Sequence, residues 1–322
     1  MQTQSADDTA EVEVKEEDLL LAPTVVFGFS LVDKIWRTSI FLSPRERPLT
    51  RITVEFDVDR IQDVDWNDDA FANLVLPTDR KDLLRSLVEA HHRGIGFDDF
   101  IKGKGHGLVV NLFGPPGVGK TFSAEATSEH VRRPLYVVGA GDLGTTASLL
   151  DSKLEAIFDV ATAWKAIVLI DEADVFLEQR SLHDLERNAM VAVFLRHVEY
   201  YRGILFLTTN RVRAFDDAFL SRIHVALHFA QLSEESKEMV WRAFLGKAGG
   251  NSSVGGATGV GSITADEVRI LAKRNVNGRQ IKNAVRTAAS LAASREEELK
   301  FEHLVKTLDA MDEFTLEMDT RQ

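Results

Sequence analysis

Apolar residues recur along the chain with two periods, one typical of buried strands and one typical of amphipathic helices. Five short and nearly continuous apolar runs predict buried strands: 107–113, 134–140, 166–171, 203–210 and 224–229. Between these runs apolar residues repeat every three or four positions, as at Leu150, Leu154, Ile157 and Ala161, which predicts helices. Apolar strands that alternate with helices indicate a parallel sheet covered by helices on both faces.

The pattern changes after residue 229, where the strand-like runs stop. Four further helices are predicted, at 233–249, 264–275, 278–294 and 301–311. Thr264 and Glu267 form the sequence signature of a capping box, and the Gly/Ser-rich stretch 249–262 is typical of a flexible connection. The expected fold class is therefore α/β: a parallel five-stranded sheet with helices on both faces, followed by a small α-helical lid subdomain.

The first 65 residues differ from the rest of the chain. Residues 51–58 alternate as a strand does, but this part is too short for a core of its own. Residues 1–20 carry seven acidic residues and one lysine, a net charge of −6 within the chain's −12, and such a segment buries too little apolar surface to become ordered. We predict four parts: an acidic disordered tail (1–23), a β-rich remnant of a larger N-terminal domain (24–65), an α/β domain (66–231) and a helical lid with a C-terminal tail (232–322).

Composition excludes several classes of protein. The chain has no cysteine, so it has neither disulfides nor thiolate metal sites. Its N-terminus lacks the pattern of a secretion signal, and no run approaches the roughly 18 apolar residues of a membrane span. A net charge of −12 makes a poor binder of nucleic-acid phosphates. We expect a cytoplasmic or nuclear protein that has no membrane segment and whose main partner is not nucleic acid.

A glycine-rich motif follows the first strand-like run. Residues 114–121, GPPGVGKT, fit the pattern G-x-x-x-x-G-K-[ST] and stand between a predicted strand and a predicted helix, as a phosphate-binding loop requires. We expect Lys120 to reach the β- and γ-phosphates of ATP and Thr121 to bind Mg²⁺. The residues expected to contact the nucleotide are Gly114, Pro115, Pro116, Gly117, Val118, Gly119, Lys120, Thr121 and Phe122.

Polar residues end the third and fourth strand-like runs. Asp171 and Glu172 stand at the carboxyl end of a buried strand, where α/β sheets place their ligand groups. We expect Asp171 to bind Mg²⁺, Glu172 to polarise the attacking water and Asn210 to orient that water. Each residue alone has an ordinary explanation, as a helix cap or a turn former. The order of the motifs along the chain favours the catalytic interpretation.

The series GPPGVGKT, IVLIDEAD, TTN and DDAFLSRIH resembles the AAA+ ATPase module, over roughly residues 66–314 and including the lid. The stretches GFSLVDKIW, WNDDAFANLVLP and GKGHGLVVNLFGPPG are similar to a group of fungal AAA ATPases with a β-rich region upstream. The resemblance implies a P-loop NTPase that hydrolyses ATP with Mg²⁺. It also implies a homo-oligomeric ring, usually a hexamer, that acts on an as yet unidentified protein substrate.

The resemblance implies roles for arginines. The family's ALLRPGRFD appears as AFLSRIHVA, with Ser221 in place of one arginine and two residues fewer before Arg222. Arg222 is the candidate arginine finger, which acts on ATP bound to the neighbouring subunit, and Arg211 and Arg213 are weaker candidates. A surface ion pair is the alternative for Arg222. In NVNGRQIKNAVRTA, Arg279 matches the sensor-2 arginine, which faces the γ-phosphate.

Two further segments bear on ligands. The resemblance places adenine near Asp99 to Ile101. Rings that thread polypeptides carry an aromatic–hydrophobic–glycine triplet in the pore, whereas this chain has AGDLGTTASLL, with Leu143 and Gly144 but no preceding aromatic residue. The missing aromatic puts threading in doubt.

Three other functions compete with an ATP-hydrolysing ring that remodels a protein. The DEAD letters at 171–174 suggest an RNA helicase, but such enzymes need a second RecA-like domain where a helical lid is predicted here, and TTN stands where helicases carry Ser-Ala-Thr. A small-molecule kinase would need an acceptor pocket and an arginine-rich lid, and TTN, Arg222 and Arg279 argue against it. A nucleotide-dependent scaffold or switch with weak or no hydrolysis remains the alternative.

Overall fold

The computed structural model describes residues 25–30, 35–36, 54–57, 64–94, 107–177, 184–211, 217–250 and 263–319. The chain divides into two compact units, Met1–Asp65 and Trp66–Gln322. The acidic tail predicted at 1–23 and most of the Gly/Ser-rich connection lie outside the described residues.

The first unit contains a three-stranded antiparallel sheet. Its strands are β1 (Val25–Ser30), β2 (Ile35–Trp36) and β3 (Val54–Asp57), in the order β2-β1-β3. Val26 of β1 lies opposite Phe56 of β3. The alternating pattern at 51–58 thus coincides with a strand.

The second unit is built on a five-stranded sheet. Its strands, all paired in parallel, are β4 (Leu108–Phe113), β5 (Leu135–Gly139), β6 (Ile167–Asp171), β7 (Ile204–Thr209) and β8 (Val225–His228). Their order across the sheet is β5-β6-β7-β4-β8. Each strand lies within the apolar run that predicted it, and the predicted fold class is confirmed.

Helices cover the sheet. They are α1 (Thr78–His92), α2 (Lys120–Val131), α3 (Ala147–Ala163), α4 (Asp174–Leu177), α5 (Leu185–Tyr200) and α6 (Asp217–Leu220). Along β4, Val110 and Leu112 belong to a core that includes Leu84 and Val88 of α1, while Asn111 between them is also buried. Because successive strand residues point to opposite faces, both faces of the sheet are buried.

The C-terminal part is helical and has its own core. Its helices are α7 (Glu234–Gly250), α8 (Ala265–Ala272), α9 (Gly278–Ser294) and α10 (Phe301–Asp319), and they pack around the fully buried Trp241. The predicted capping box is present: Glu267 N donates to Thr264 Oγ1 at 3.3 Å, and Thr264 N donates to Glu267 Oε2 at 2.7 Å. None of the described helices combines the length and apolar character needed to cross a bilayer.

Candidate nucleotide-binding site

The glycine-rich loop joins the end of β4 to the start of α2, which begins at Lys120. Gly114 has to be glycine because a Cβ there would lie 2.1 Å from the carbonyl oxygen of Phe229. Gly117 has φ +75°, and a Cβ on it would lie 2.5 Å from Asn277 Oδ1. The loop is therefore held closely between the residue after β8 and the residue before α9.

Lys120 is the buried cation of this loop, with 7% of its surface exposed. Its Nζ lies 2.8 Å from Gly114 O, 2.6 Å from Pro115 O and 2.9 Å from Asn210 Oδ1. The three N–H donors of the ammonium group thus have three acceptors. Two residues predicted from separate motifs, Lys120 and Asn210, are in direct contact.

The electrostatic environment links Lys120 to three more charged residues. Burial lowers the pKa of Lys120, because the charged form loses hydration. The carboxylates of Asp171 and Asp174 oppose this shift, while Arg279 adds to it. Arg279, the predicted sensor-2 residue, therefore lies close enough to the loop for its charge to act on Lys120.

Thr121 and Asp171 supply oxygen ligands at the same edge of the sheet. Thr121 Oγ1 lies 3.4 and 3.3 Å from the two carboxylate oxygens of Asp171, the last residue of β6. Mg²⁺ prefers oxygen ligands and is usually held by one or two carboxylates together with waters and substrate phosphates. A hydroxyl beside a single carboxylate fits this ion. Within the described ranges no group of three or more acidic or histidine ligands offers another metal site.

Glu172 follows Asp171 in a left-handed backbone conformation, with φ +56°, which is uncommon for a residue other than glycine. Its N–H donates to Thr208 Oγ1 at 3.0 Å, and the N–H of Ala173 donates to the carbonyl oxygen of Thr208 at 2.9 Å. The Thr208 hydroxyl also donates to Asp171. The side chain of Glu172 is exposed at this edge.

The two threonines that precede Asn210 had no predicted role. Thr208 contacts Asp171, and Thr209 donates to Asp174 while accepting from the N–H of Arg211 at 3.1 Å. The available signal was a pair of hydroxyls at the end of a buried strand, at the same edge as the predicted carboxylates. Arg211 itself is exposed.

The start of α9 contacts the glycine-rich loop. The N–H of Gly278 donates to the carbonyl oxygen of Gly117 at 2.8 Å, and Arg279 follows directly. Asn277 caps this helix through Oδ1, which accepts from Gln280 N at 2.9 Å. Asn277 had no predicted role either, although an asparagine three residues before a glutamine marks a helix start.

Arg222 has its contacts elsewhere in the same chain. Its Nε and Nη2 lie 3.2 and 2.7 Å from Glu199 Oε2 near the end of α5, and its Nη1 donates to Ala218 O at 2.7 Å. An ion pair within the chain is thus present, and the role of Arg222 at a neighbouring subunit remains a prediction. Arg213 and the predicted adenine contacts at Asp99 to Ile101 lie outside the described residues.

The segment 140–144, which stands where threading rings carry the pore triplet, forms a closed turn. Ala140–Leu143 is a 3₁₀ helix in which Leu143 is fully buried. The Asp142 carboxylate accepts from Gly139 N at 3.0 Å, and Lys153 donates to the carbonyl oxygen of Asp142. Leu143 is therefore not available to grip a polypeptide.

A glycine-rich loop after a central parallel strand, a carboxylate at the end of β6 and an asparagine after β7 define a P-loop nucleotide-binding domain. Residues 110–231 match the family model "ATPase family associated with various cellular activities (AAA)". The match supports an AAA ATPase domain over these residues and, with it, nucleotide binding. The matched region includes the loop, Asp171, Asn210 and Arg222, and it ends before Arg279.

Curated relatives and a solved structure agree with this assignment. The human ATPase family AAA domain-containing protein 3B is 30% identical over 168 residues, covering 50% of this chain and 26% of that protein. A Caenorhabditis elegans protein, ATPase family AAA domain-containing protein 3, is 30% identical over 174 residues, covering 50% of this chain and 29% of that protein. The matched stretch thus spans little more than a quarter of these relatives' length.

The crystal structure of the FIGL-1 AAA domain in complex with ADP resembles this fold with a TM-score of 0.56 and 19% sequence identity. The match covers 76% of this chain and 86% of that one. It supports the fold and, at this identity, nothing further about activity.

Proposed function

We propose that this chain binds ATP with Mg²⁺ at the glycine-rich loop and hydrolyses it. The observation that carries the proposal is the contact of Lys120 with Asn210, beside Thr121 and Asp171. These four residues come from three separate strand ends and meet at one edge of the sheet. Glu172, next to Asp171 and exposed at that edge, supplies the carboxylate that hydrolysis requires.

Each residue has a role in this proposal. Phosphate oxygens replace carbonyl acceptors around the Lys120 ammonium group, while Thr121 and Asp171 hold Mg²⁺. Bound Mg²⁺ neutralises charge on the phosphates. Glu172 accepts the proton of the attacking water, Asn210 orients that water, and Arg279 approaches the γ-phosphate from the start of α9.

The proposed assembly is a homo-oligomeric ring, a hexamer, in which Arg222 acts on ATP held by the neighbouring subunit. Residues 66–231 would bind the nucleotide and residues 232–322 would form the lid. We propose that the ring remodels a protein partner. Because Leu143 is buried in a closed turn, this remodelling does not depend on an apolar grip at that position.

A nucleotide-dependent switch or scaffold is the second candidate. Two observations favour it: Arg222 is bound to Glu199 of its own chain, and the turn at Ala140–Leu143 is closed. If Arg222 keeps its partner when subunits meet, ATP binds but turns over slowly. The two candidates therefore differ in hydrolysis and not in binding.

Calorimetry with ATP and Mg²⁺ and a phosphate-release assay over a range of protein concentrations test the proposal. Lys120→Ala removes the buried cation, and its ATP affinity should fall about 10- to 100-fold, since hydrogen bonds to charged groups are lost. Glu172→Gln should bind ATP normally while its turnover falls about 10²- to 10⁴-fold. The exposed Lys306→Ala and Glu302→Gln, both in α10, are matched controls that should change neither quantity.

The outcomes separate the candidates. Turnover per subunit that rises with protein concentration supports a ring. Tight ATP binding without phosphate release at any concentration supports the switch. Unchanged ATP affinity in Lys120→Ala would show that the loop is not the nucleotide site.

A further inference from the structure

Thr208 lies at the edge of the sheet where strands β6 and β7 both end, beside the proposed site. It is the next-to-last residue of β7 and is 1% exposed. In the register between β6 and β7, Ile170 lies opposite Leu207. Thr208 therefore lies beside Asp171, where β6 ends and the chain turns away from the sheet.

The hydrogen bonds of Thr208 reach three consecutive residues. Its hydroxyl donates to the Asp171 carboxylate and accepts from the N–H of Glu172 at 3.0 Å, and its carbonyl oxygen accepts from the N–H of Ala173 at 2.9 Å. A hydroxyl has one proton and two lone pairs. Because an amide N–H can only donate, the hydroxyl proton is directed to Asp171.

We propose that Thr208 is a positioning residue for ATP hydrolysis, which orients the metal-binding carboxylate of Asp171 and holds Glu172 in its left-handed conformation. The inference rests on the function proposed above. A non-glycine residue at φ +56° persists only where its surroundings fix it, and the hydroxyl of Thr208 supplies one such contact. The Thr208 hydroxyl binds Oδ1 of Asp171. Thr121 Oγ1 lies 3.4 Å from this oxygen and 3.3 Å from Oδ2 of the same carboxylate.

The neighbouring threonine shows that this role is specific to one position. Thr209 is also buried at the end of β7, but its hydroxyl binds Asp174 in place of Asp171. Successive residues of a strand face opposite sides of the sheet, so the two hydroxyls cannot substitute for each other. Of the two threonines, Thr208 is the one that contacts both the proposed metal ligand and the backbone of the proposed base.

Four variants test the hydroxyl separately from packing. Thr208→Val replaces the hydroxyl with a methyl group, and Thr208→Ser keeps the hydroxyl but loses the methyl. Thr208→Ala, compared with Thr208→Ser, gives a second pair that differs only in the hydroxyl, which keeps the test available if the valine variant does not fold. Thr307→Val is the matched control, because Thr307 is buried in α10 and its hydroxyl binds only the helical carbonyl oxygen of His303, at 2.8 Å.

Two quantities are measured: ATP affinity by calorimetry, in EDTA and in Mg²⁺, and the rate constant kcat. Groups that support a metal ligand typically change metal affinity or activity 10- to 100-fold. We expect Thr208→Val and Thr208→Ala to lose kcat by about that factor and to lose most of the gain in ATP affinity that Mg²⁺ gives. Affinity in EDTA should stay within about threefold, because Lys120 and the loop are unchanged. Thr208→Ser and Thr307→Val should match the wild type.

Several results would overturn the inference. If all Thr208 variants keep kcat and the Mg²⁺-dependent gain in ATP affinity, the hydroxyl does not position Asp171 or Glu172 for the reaction. If Thr208→Ser loses as much as Thr208→Ala, packing of the methyl group is responsible. A wild-type protein whose ATP affinity does not respond to Mg²⁺ and that releases no phosphate refutes the proposed function, and the role of Thr208 falls with it. If the wild type binds ATP with Mg²⁺ but releases no phosphate, the role of Thr208 is tested by the Mg²⁺-dependent gain in ATP affinity: loss of this gain in Thr208→Val and Thr208→Ala supports the role, and its retention refutes it.

Discussion

Arg222 is the residue whose proposed function requires the largest change from what the structure shows. Its guanidinium group donates twice to Glu199 Oε2, at 2.7 and 3.2 Å, and once to Ala218 O. To act on ATP held by a neighbouring subunit, it has to exchange the Glu199 carboxylate for phosphate oxygens. The free energies of the two states decide whether this exchange occurs.

The magnitudes favour the exchange. The side chains of Arg222 and Glu199 are 27% and 25% exposed, so the pair is partly buried but keeps access to solvent, and we take its worth as about 1 kcal/mol, the upper end of the range for exposed pairs. An arginine finger is worth about 10³- to 10⁵-fold in rate, or about 4 to 7 kcal/mol in the transition state. Arg222→Ala should therefore lower turnover by about 10³-fold or more and leave ATP affinity unchanged. Glu199→Gln should leave turnover within about fivefold of the wild type or raise it.

The assay mixes two inactive proteins. An interface between Arg222→Ala and Glu172→Gln subunits can combine an intact Glu172 from one with an intact Arg222 from the other, so some phosphate release should return on mixing. Arg242→Ala is the control, because the exposed Arg242 pairs with Glu238 within α7 and its loss should not change turnover.

Three results would refute the role of Arg222 in a neighbouring site. The first is a loss of ATP affinity in Arg222→Ala. The second is a lower thermal stability of this variant with unchanged turnover. The third is no recovery of activity in mixtures that are shown to co-assemble, together with turnover that does not depend on protein concentration. The last result would mean that the arginine acts within its own chain or supports the fold.

Three smaller perturbations test the surroundings of the site and the fold. Gly117→Ala should destabilise the protein by about 1 to 3 kcal/mol in urea denaturation, because φ is +75° and the new Cβ would lie 2.5 Å from Asn277 Oδ1; an unchanged midpoint would contradict this strain. Thr264→Ala should cost about 1 kcal/mol by loss of the helix cap, whereas Thr264→Ser should not. Hydrogen bonds from His197 and its neighbouring arginine hold the pKa of Asp151 below its ordinary value of 3.8, so the stability they give is present at neutral pH and lost as the pH falls through the lowered pKa. Asp151→Asn should thus lower Tm near pH 7, and the difference from the wild type should shrink in acid.

The strands were predictable because they carry most of the buried apolar surface in short runs. The run 203–210 contains β7, all of whose residues are buried, and the run 166–171 contains β6. Their order across the sheet, β5-β6-β7-β4-β8, was not predictable from these runs. Apolar strands of similar composition can pair with any neighbour, and the order depends on how the connecting helices pack.

The site was predictable to the extent that its residues stand at strand ends. Asp171 ends β6, Asn210 follows β7 and Lys120 follows the loop after β4, and the carboxyl ends of parallel strands meet at one edge. Thr208 carries a weaker signal, because a threonine at the end of a buried strand also fits ordinary strand preference. Its contacts with Asp171 and Glu172 follow from the register of β6 and β7, which exists only once the strands have paired.

Arg222 illustrates a different limit on prediction. It and Glu199 are 23 residues apart and share no periodic pattern, so only the folded chain brings them together. Both the carboxylate and a neighbour's phosphate satisfy a guanidinium group, and the choice between them depends on a second subunit. In the proposed ring only one of the two partners could be bound at a time, so a complete ATP site between subunits would have to compete with the Glu199 pair. A pair worth about 1 kcal/mol would then set a threshold that an assembled, ATP-loaded interface should pass and that a loosely associated one should not.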